Sequence, residues 1–235
     1  MSATKLSDLG DLDTRSKGWM DRMADEPLLP ELEEYITIGG FGKMLSHPLI
    51  MDLAPNMLPG AINRRYLAKK EHLEKAIEED DLDRIVFLHE RPYRFDALEE
   101  YVLLKGGVIW DYSKKIQDLV IDVWVDSDNI YQYAPAWRRL FSDRPAGRVL
   151  GNANELRSFR KLPDEFPVWR GGGDSSFLTW TTHEDVAKRF AYVPSGDIGS
   201  LPRKVRTRMM RKEDCFAYFT RRGEYEVLSF EGEGA

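Results

Sequence analysis

Three short segments near the C-terminal end of the sequence carry side chains that could do chemistry. In the first, Val168–Gly173, Arg170 is followed directly by three glycines. The residues before it predict a strand over Phe166–Arg170, whose end presents a guanidinium fork suited to phosphate or ribose oxygens. The glycines would let a ligand approach the backbone closely. Taken alone, this pattern is more typical of a surface arginine beside a glycine turn.

The second segment predicts a strand over Phe177–Thr181 that leads directly into a helix over Asp185–Tyr192. The spacing of Thr179 and Thr181 puts both hydroxyls on one face of the strand. Thr181 with Glu184 fits a capping box at the start of the helix. A cap needs no second threonine two residues earlier, so this pair is a candidate for binding.

The third segment, which contains Glu224 and Glu226, predicts a final strand over Glu226–Phe230. An extended backbone would turn both glutamates to the same face as Leu228, which should be buried. Burial of neighbouring carboxyl groups raises their pKa values, and such pairs collect at functional sites. If the strand end is exposed to water, Glu224 needs no functional role. The same explanation does not account for Glu226, which lies further inside the strand.

Together the three segments resemble the ADP-ribosyltransferases of the Arg, Ser-Thr-Ser, Glu-x-Glu class. Arg170 matches the arginine of that family, and Glu224-Tyr225-Glu226 matches its Glu-x-Glu. Thr179-Trp180-Thr181 stands where the family has Ser-Thr-Ser, so all three side chains differ but both outer hydroxyls are kept. The resemblance covers roughly Phe166–Glu231, less than a third of the chain. The small transferase-like proteins of bacteriophage and prophage genomes look most similar.

The resemblance implies that NAD⁺ is a cosubstrate and that ADP-ribose passes to a protein acceptor. Arg170 would hold the phosphate or ribose of NAD⁺, and the Gly171 backbone would bind the nicotinamide carboxamide. Glu226 would bond the ribose 2′-hydroxyl, and Thr179 would orient Glu226 or the ribose. In this family a glutamate at the position of Glu224 accompanies arginine as the target.

Other parts of the donor site follow from the same resemblance. Thr181 completes the hydroxyl pair, and the Val193–Ser200 loop would close over the bound dinucleotide. Trp180, Phe190 and Tyr192 are the candidates for the aromatic ring that stacks on nicotinamide. The Arg221-Arg222-Gly223 turn would lie where the family recognises its target.

Two other functions stay open at this point. An NAD glycohydrolase would use the same donor site with water as the acceptor. A non-enzymatic module would bind a partner through its helical part and use the C-terminal fold as a scaffold.

The periodicity predicts an α+β protein with a helical N-terminal region and a two-sheet, ADP-ribosyltransferase-like β core. We expect a tail and irregular segment over 1–62, a helical subdomain over 63–145 and the NAD-binding core over 146–235. The change from a period near 3.6 to alternation beyond residue 146 is the basis of this division.

Composition limits the function classes further. The chain of 235 residues has a net charge of −6, so there is no general reason to expect nucleic-acid binding. Its one cysteine, Cys215, excludes an intramolecular disulfide, and the four histidines lack metal-ligand spacing. The sequence has neither a secretory signal nor a membrane span, which predicts a cytoplasmic protein.

A basic run from Arg203 to Lys212 is the exception in this acidic chain. It could bind nucleic acid or an acidic partner. The favoured interpretation is an alternating strand over Val205–Met209, with Val205, Thr207 and Met209 inside and the cations in water.

Overall fold

The structure, a computed structural model, describes residues 18, 21, 23–40, 42–103, 107–127, 130–172, 179–192 and 204–229. The chain is α+β, and its described residues form helices and two antiparallel sheets of three and five strands. It divides into two compact units, Met1–Leu103 and Leu104–Ala235. The helical segment 63–145 is therefore shared between two units, whereas the sequence suggested a subdomain of its own.

The first unit contains the three-stranded sheet. A short helix α1 (Pro30–Glu33) precedes strands β1 (Ile36–Gly39), β2 (Gly42–His47) and β3 (Ile50–Asp52), which pair in that order. The prediction of a tail and irregular segment over 1–62 missed this sheet, because its strands are only three to six residues long and β1 is largely exposed. The sheet and helices of this unit enclose a core that includes Leu32, Leu45, Ile50, Ile62 and Tyr66.

Three further helices follow in the described part of the first unit, namely α2 (Pro59–Glu78), α3 (Leu82–Leu88) and α4 (Arg94–Tyr101). Helix α2 begins at a proline, four residues before the predicted start at Asn63. Proline suits this position, because the first turn of a helix needs no N–H donor from it. The helical character predicted for this part of the chain is confirmed.

The second unit is built on the five-stranded sheet. Three helices come first: α5 (Lys114–Asp126), α6 (Ala134–Leu140) and α7 (Ala153–Arg160). The strands and the last helix follow, in the order β4 (Glu165–Gly171), β5 (Thr179–Thr181), α8 (Glu184–Tyr192), β6 (Val205–Arg211), β7 (Ala217–Phe219) and β8 (Glu226–Leu228). The strands lie in the order β6-β4-β5-β8-β7.

Most strands and the helix predicted after residue 165 are confirmed within one or two residues. The described strands of 146–235 form a single sheet, where the sequence predicted two. Several predicted positions or segments lie outside the described residues, namely Gly173, Phe177, Val193–Ser200, Arg203, Phe230 and Glu231.

Two groups of buried side chains hold the second unit together. Trp124 of α5 packs edge-on against Trp137 and Phe141, with ring centroids 4.9 and 5.4 Å away. A second cluster, between α7 and the sheet, contains Phe159, Phe166, Val168, Met210, Cys215, Tyr218 and Val227. Burial raises the pKa of the Cys215 thiol to about 12, so it acts as a core residue.

Gly171 at the end of β4 lets helix α8 approach the sheet. A Cβ atom at this position would lie 1.7 Å from the carbonyl oxygen of Ala187 and 2.6 Å from the backbone nitrogen of Ala191. Only a residue without a side chain permits this contact. Packing of α8, rather than ligand approach alone, therefore requires the glycine.

Within the described ranges, none of the helices combines the length and the apolar character that crossing a bilayer requires.

Candidate active site

A single cavity of about 170 Å³ in the second unit is bordered by every predicted site residue. The eight are Arg170, Gly171, Thr179, Trp180, Thr181, Phe190, Glu224 and Glu226. Trp169 and Ala187 also line it, and neither was predicted. Three sequence segments separated by up to about fifty residues thus meet at one place.

Strand register explains why these side chains converge. Thr181 of β5 lies directly opposite Glu226 of β8, and Thr179 lies opposite Leu228. On the other side, Thr181 lies opposite Trp169 of β4. Directly paired residues point to the same face of a sheet, with Cβ atoms about 5 Å apart. Trp169, Thr181 and Glu226 therefore form one row across three neighbouring strands.

Arg170 is fixed by Thr179. Its Nη1 donates to the carbonyl oxygen of Thr179 at 2.6 Å and lies 3.3 Å from the Thr179 hydroxyl. The guanidinium thereby stays at the edge of the cavity, and its positive charge lowers the pKa of Glu226. A charged, anchored fork donor at the cavity edge is suited to an anionic ligand group.

Glu224 does not lie on the strand of Glu226, which corrects the prediction that the two share a strand face. A 3-10 turn over Arg221–Gly223 precedes it, and β8 begins only at Glu226. Between them, Tyr225 has a φ angle of 48°. This left-handed backbone interrupts the alternation on which the prediction depended. The turn nevertheless brings Glu224 to the same cavity.

The end of β5 anchors this turn. The Thr181 hydroxyl donates to the carbonyl oxygen of Glu224 at 2.6 Å and accepts from the backbone N–H of His183 at 3.2 Å. The Thr182 N–H donates to the carbonyl oxygen of Tyr225 at 3.0 Å. The rings of His183 and Tyr225 stack with centroids 3.8 Å apart. Thr181 thus supports the turn, a role that the predicted capping box did not anticipate.

Among the residues that border the cavity, Glu226 has the largest shift in pKa. Burial, and then the nearby Glu224 carboxylate, raise its pKa to about 7. The Trp124 indole, Arg222 and Arg170 act in the opposite direction. The residue keeps some accessible surface because it borders the cavity. A carboxyl group that titrates near neutral pH in a cleft is typical of functional sites.

Trp124 is a site residue that sequence reasoning missed. Its indole nitrogen is buried, and its N–H lowers the pKa of Glu226. The indole therefore acts on the Glu226 carboxyl group. In the sequence, Trp124 belongs to an apolar helical stripe, and such a stripe gives no signal beyond burial.

Helix α5 and helix α7 also hold the turn that carries Glu224. The guanidinium of Arg221 pairs with Asp122 of α5 and lies 3.5 Å from a carboxylate oxygen of Glu155. Glu155 is fully buried and accepts from the backbone N–H groups of Asn152 at 2.7 Å and Thr220 at 3.1 Å. The predicted target-recognition turn is therefore tied to the body of the unit by Arg221.

The aromatic candidates differ in their surroundings. Trp180 packs against the core, and the guanidinium of Arg208 lies 4.6 Å from its ring centroid. Tyr192 is 69% exposed and does not border the cavity. Phe190 is 48% exposed and borders the cavity, as do Trp169 and Trp180. Phe190 is the most exposed of these three rings and is therefore best able to meet a ligand.

The orientation predicted for the basic strand is wrong. Met209, expected inside, is 60% exposed, whereas Met210 is 3% exposed. Arg208 lies opposite Val168 on the inner face and stacks on Trp180. An arginine can be covered in this way because its flat guanidinium packs on an aromatic face. The sequence alternation alone does not reveal that pairing.

A second cavity, about 510 Å³, lies near the far end of β6 and is lined by Arg144, Arg148, Arg160 and Lys212 among others. Two of these cations, Arg144 and Lys212, support the fold. Arg144 donates to the carbonyl oxygen of Cys215 at 2.6 Å, and Lys212 donates to those of Arg160 and Leu162 at 2.9 and 2.5 Å. The smaller cavity contains the convergent acids and hydroxyls, so it is the candidate active site.

No protein-family model, curated protein or solved structure matches the chain. Across the described residues, His, Cys, Asp and Glu side chains form no group of three that could hold a metal ion.

Proposed function

We propose that the protein is a mono-ADP-ribosyltransferase that moves ADP-ribose from NAD⁺ to an arginine of a protein acceptor. The observation that carries this proposal is that Arg170, the Thr179–Thr181 segment, Glu224 and Glu226 border one cavity. A carboxyl group with a pKa of about 7 and an anchored arginine at the same cavity add chemical support.

The cavity fits part of NAD⁺ rather than all of it. Sites for drug-sized ligands usually measure about 300–1,000 Å³, whereas this one measures about 170 Å³. That volume suits a ring with its sugar. Arg170 would bind a phosphate or the ribose, the Gly171 backbone would bind the carboxamide, and Phe190 would cover the nicotinamide ring.

The reaction would be a displacement at the anomeric carbon of the nicotinamide ribose. The bond from that carbon to the ring nitrogen breaks, and its electron pair leaves with neutral nicotinamide. A lone pair of the acceptor nitrogen forms the new bond, and one proton is released. As in glycoside hydrolysis, positive charge develops on the ribose. Ionised Glu226, bonded to the 2′-hydroxyl, would stabilise that charge more in the transition state than in the ground state.

Glu224 would bind the acceptor. A guanidinium is always charged in water, so a carboxylate must lie very close to bind it and receive its proton. The Thr181 hydrogen bond and the His183–Tyr225 stack support this role, because they hold the turn at the cavity. With water in place of the guanidinium, the same donor site would act as an NAD glycohydrolase.

The test incubates purified protein with biotin-labelled NAD⁺ and a bacterial lysate, and follows both labelled protein and free nicotinamide. Glu226→Gln keeps the size of the side chain and removes its charge. Glu165→Gln is the matched control, because Glu165 is an exposed glutamate of β4 away from the cavity. We expect labelling by the wild type and by the control, and none by Glu226→Gln.

Each outcome separates the candidate functions. Nicotinamide release without labelled protein would favour the glycohydrolase. If the folded wild type neither labels protein nor consumes NAD⁺, the transferase proposal is wrong and the non-enzymatic binding module replaces it.

A further inference from the structure

An arginine of the chain itself contacts the carboxylate proposed to bind the acceptor. Arg222 Nε lies 3.5 Å from Glu224 Oε1, and Arg222 Nη1 donates to the carbonyl oxygen of Val125 in α5. The Arg222 side chain is 47% exposed and that of Glu224 is 28% exposed. The guanidinium is thus both accessible to solvent and held by one ion pair and one hydrogen bond.

The backbone at Arg222 favours this contact. Its φ angle is 59° and its ψ angle is 9°, a left-handed conformation that residues other than glycine rarely adopt. Gly223 follows with a φ angle of 67°. Strained conformations of this kind persist where neighbouring contacts fix them. Here Arg221 on one side and Thr181 on the other anchor the turn.

We propose that Arg222 occupies the acceptor position on Glu224, so that an incoming guanidinium must displace it. The inference rests on the proposed function, since it takes Glu224 as the acceptor-binding carboxylate. Arg222 presents to Glu224 the same chemical group as the proposed acceptor. It therefore competes with the acceptor and makes the site selective for guanidinium groups that bind Glu224 better than Arg222 does.

Two of the three nitrogens of the Arg222 guanidinium are already engaged. Transfer requires a terminal guanidinium nitrogen as the nucleophile, and the Nη1 of Arg222 is bonded to Val125 on helix α5. The nitrogen nearest Glu224 is Nε, which lies within the side chain.

The test measures binding of agmatine, a small guanidine, by calorimetry without NAD⁺. We compare the wild type with Arg222→Gln, the double variant Arg222→Gln/Glu224→Gln, and Arg222→Lys, which keeps the charge. Arg157→Gln removes an equal charge from an exposed position of α7 and is the control. Thermal unfolding checks that each variant is folded.

We expect Arg222→Gln to lower the Kd for agmatine about two- to fivefold. This is the change in Kd that corresponds to the free energy of an exposed ion pair. Arg222→Lys and Arg157→Gln should bind like the wild type, and the double variant should lose the gain. An unchanged or higher Kd in Arg222→Gln overturns the proposal. ADP-ribose found on Arg222 by mass spectrometry also overturns it, because Arg222 would then be an acceptor. Binding needs no NAD⁺ cleavage, so this result is separate from the Glu226→Gln experiment.

Discussion

Thr181 lies directly opposite Glu226 on the neighbouring antiparallel strand, and its hydroxyl donates to the carbonyl oxygen of Glu224 at 2.6 Å. One buried threonine thus contacts both parts of the proposed machinery. The strand pairing fixes Glu226, and the hydroxyl fixes the turn that carries Glu224. The two glutamates can therefore be perturbed separately.

Replacing Thr181 by valine keeps the shape of the side chain and removes the hydroxyl. The Glu224 carbonyl then loses its partner, which should cost about 1–2 kcal/mol of unfolding free energy. The turn that carries Glu224 can then move, whereas Glu226 stays in place because β8 remains paired with β5. Protein labelling should therefore fall more than nicotinamide release. Denaturant unfolding and the two activity assays measure these effects. Thr181→Ser should restore both, and an equal loss of both activities would contradict the proposed role.

Activity should increase with pH through neutrality. Glu226 must be ionised to stabilise positive charge on the ribose, and its pKa is raised to about 7 by burial and by Glu224. Nicotinamide release at limiting NAD⁺ should rise from pH 6 to pH 8 with a midpoint near 7. A profile that is flat over this range would show that ionisation of Glu226 does not control the reaction.

Trp124→Phe should move this midpoint to higher pH. The substitution keeps an aromatic ring in the core and removes the N–H that lowers the pKa of Glu226. The same pH series measures the shift, and Trp137→Phe, in the same aromatic cluster, is the control. Equal shifts in the two variants would indicate a general packing effect.

Glu226→Gln should stabilise the protein at high pH. A raised pKa means that the folded protein holds a proton which the unfolded chain releases, so stability is lost as pH rises from about 4.5 to about 7. Glutamine cannot ionise, so the variant does not lose this stability. From the pKa shift, the free energy of unfolding that is lost in the wild type is at most about 3 kcal/mol. Partial exposure of the side chain makes the actual loss smaller. Urea unfolding should give a gain of about 1–3 kcal/mol at pH 8 and little below pH 4.5. A destabilised variant at pH 8 would contradict the burial argument.

Gly171→Ala should separate α8 from the sheet. The added Cβ would meet the backbone of Ala187, which is not free to move aside, so we expect a loss of about 1–3 kcal/mol. NAD⁺ cleavage should fall as well, because Phe190 is carried by the same helix. Gly40→Ala, where nothing lies within 4 Å of the added atom, is the control. Thermal unfolding measures the stability of both variants, and equal stability of the two would contradict the prediction.

Alternating residues made β4 and β6 predictable, and a short amphipathic run made α8 predictable. That Arg170, Thr179 and Glu226 would share one site was expected from the resemblance of the three segments to a known family, and all three border one cavity. The position of Glu224 did not, because Tyr225 adopts a left-handed backbone without being glycine or asparagine. The effect of Trp124 on the pKa of Glu226 depends on how helix α5 packs, and no local sequence pattern encodes that packing.

The strand order β6-β4-β5-β8-β7 bears on how such a sequence can change over evolutionary time. The segments with Arg170, the threonines and Glu226 occupy the three inner strands, so each is paired on both sides. Substitutions in the two outer strands alter the rim of the sheet but leave the inner register in place. A lineage can therefore diverge widely around a few fixed positions and still keep the same chemical arrangement.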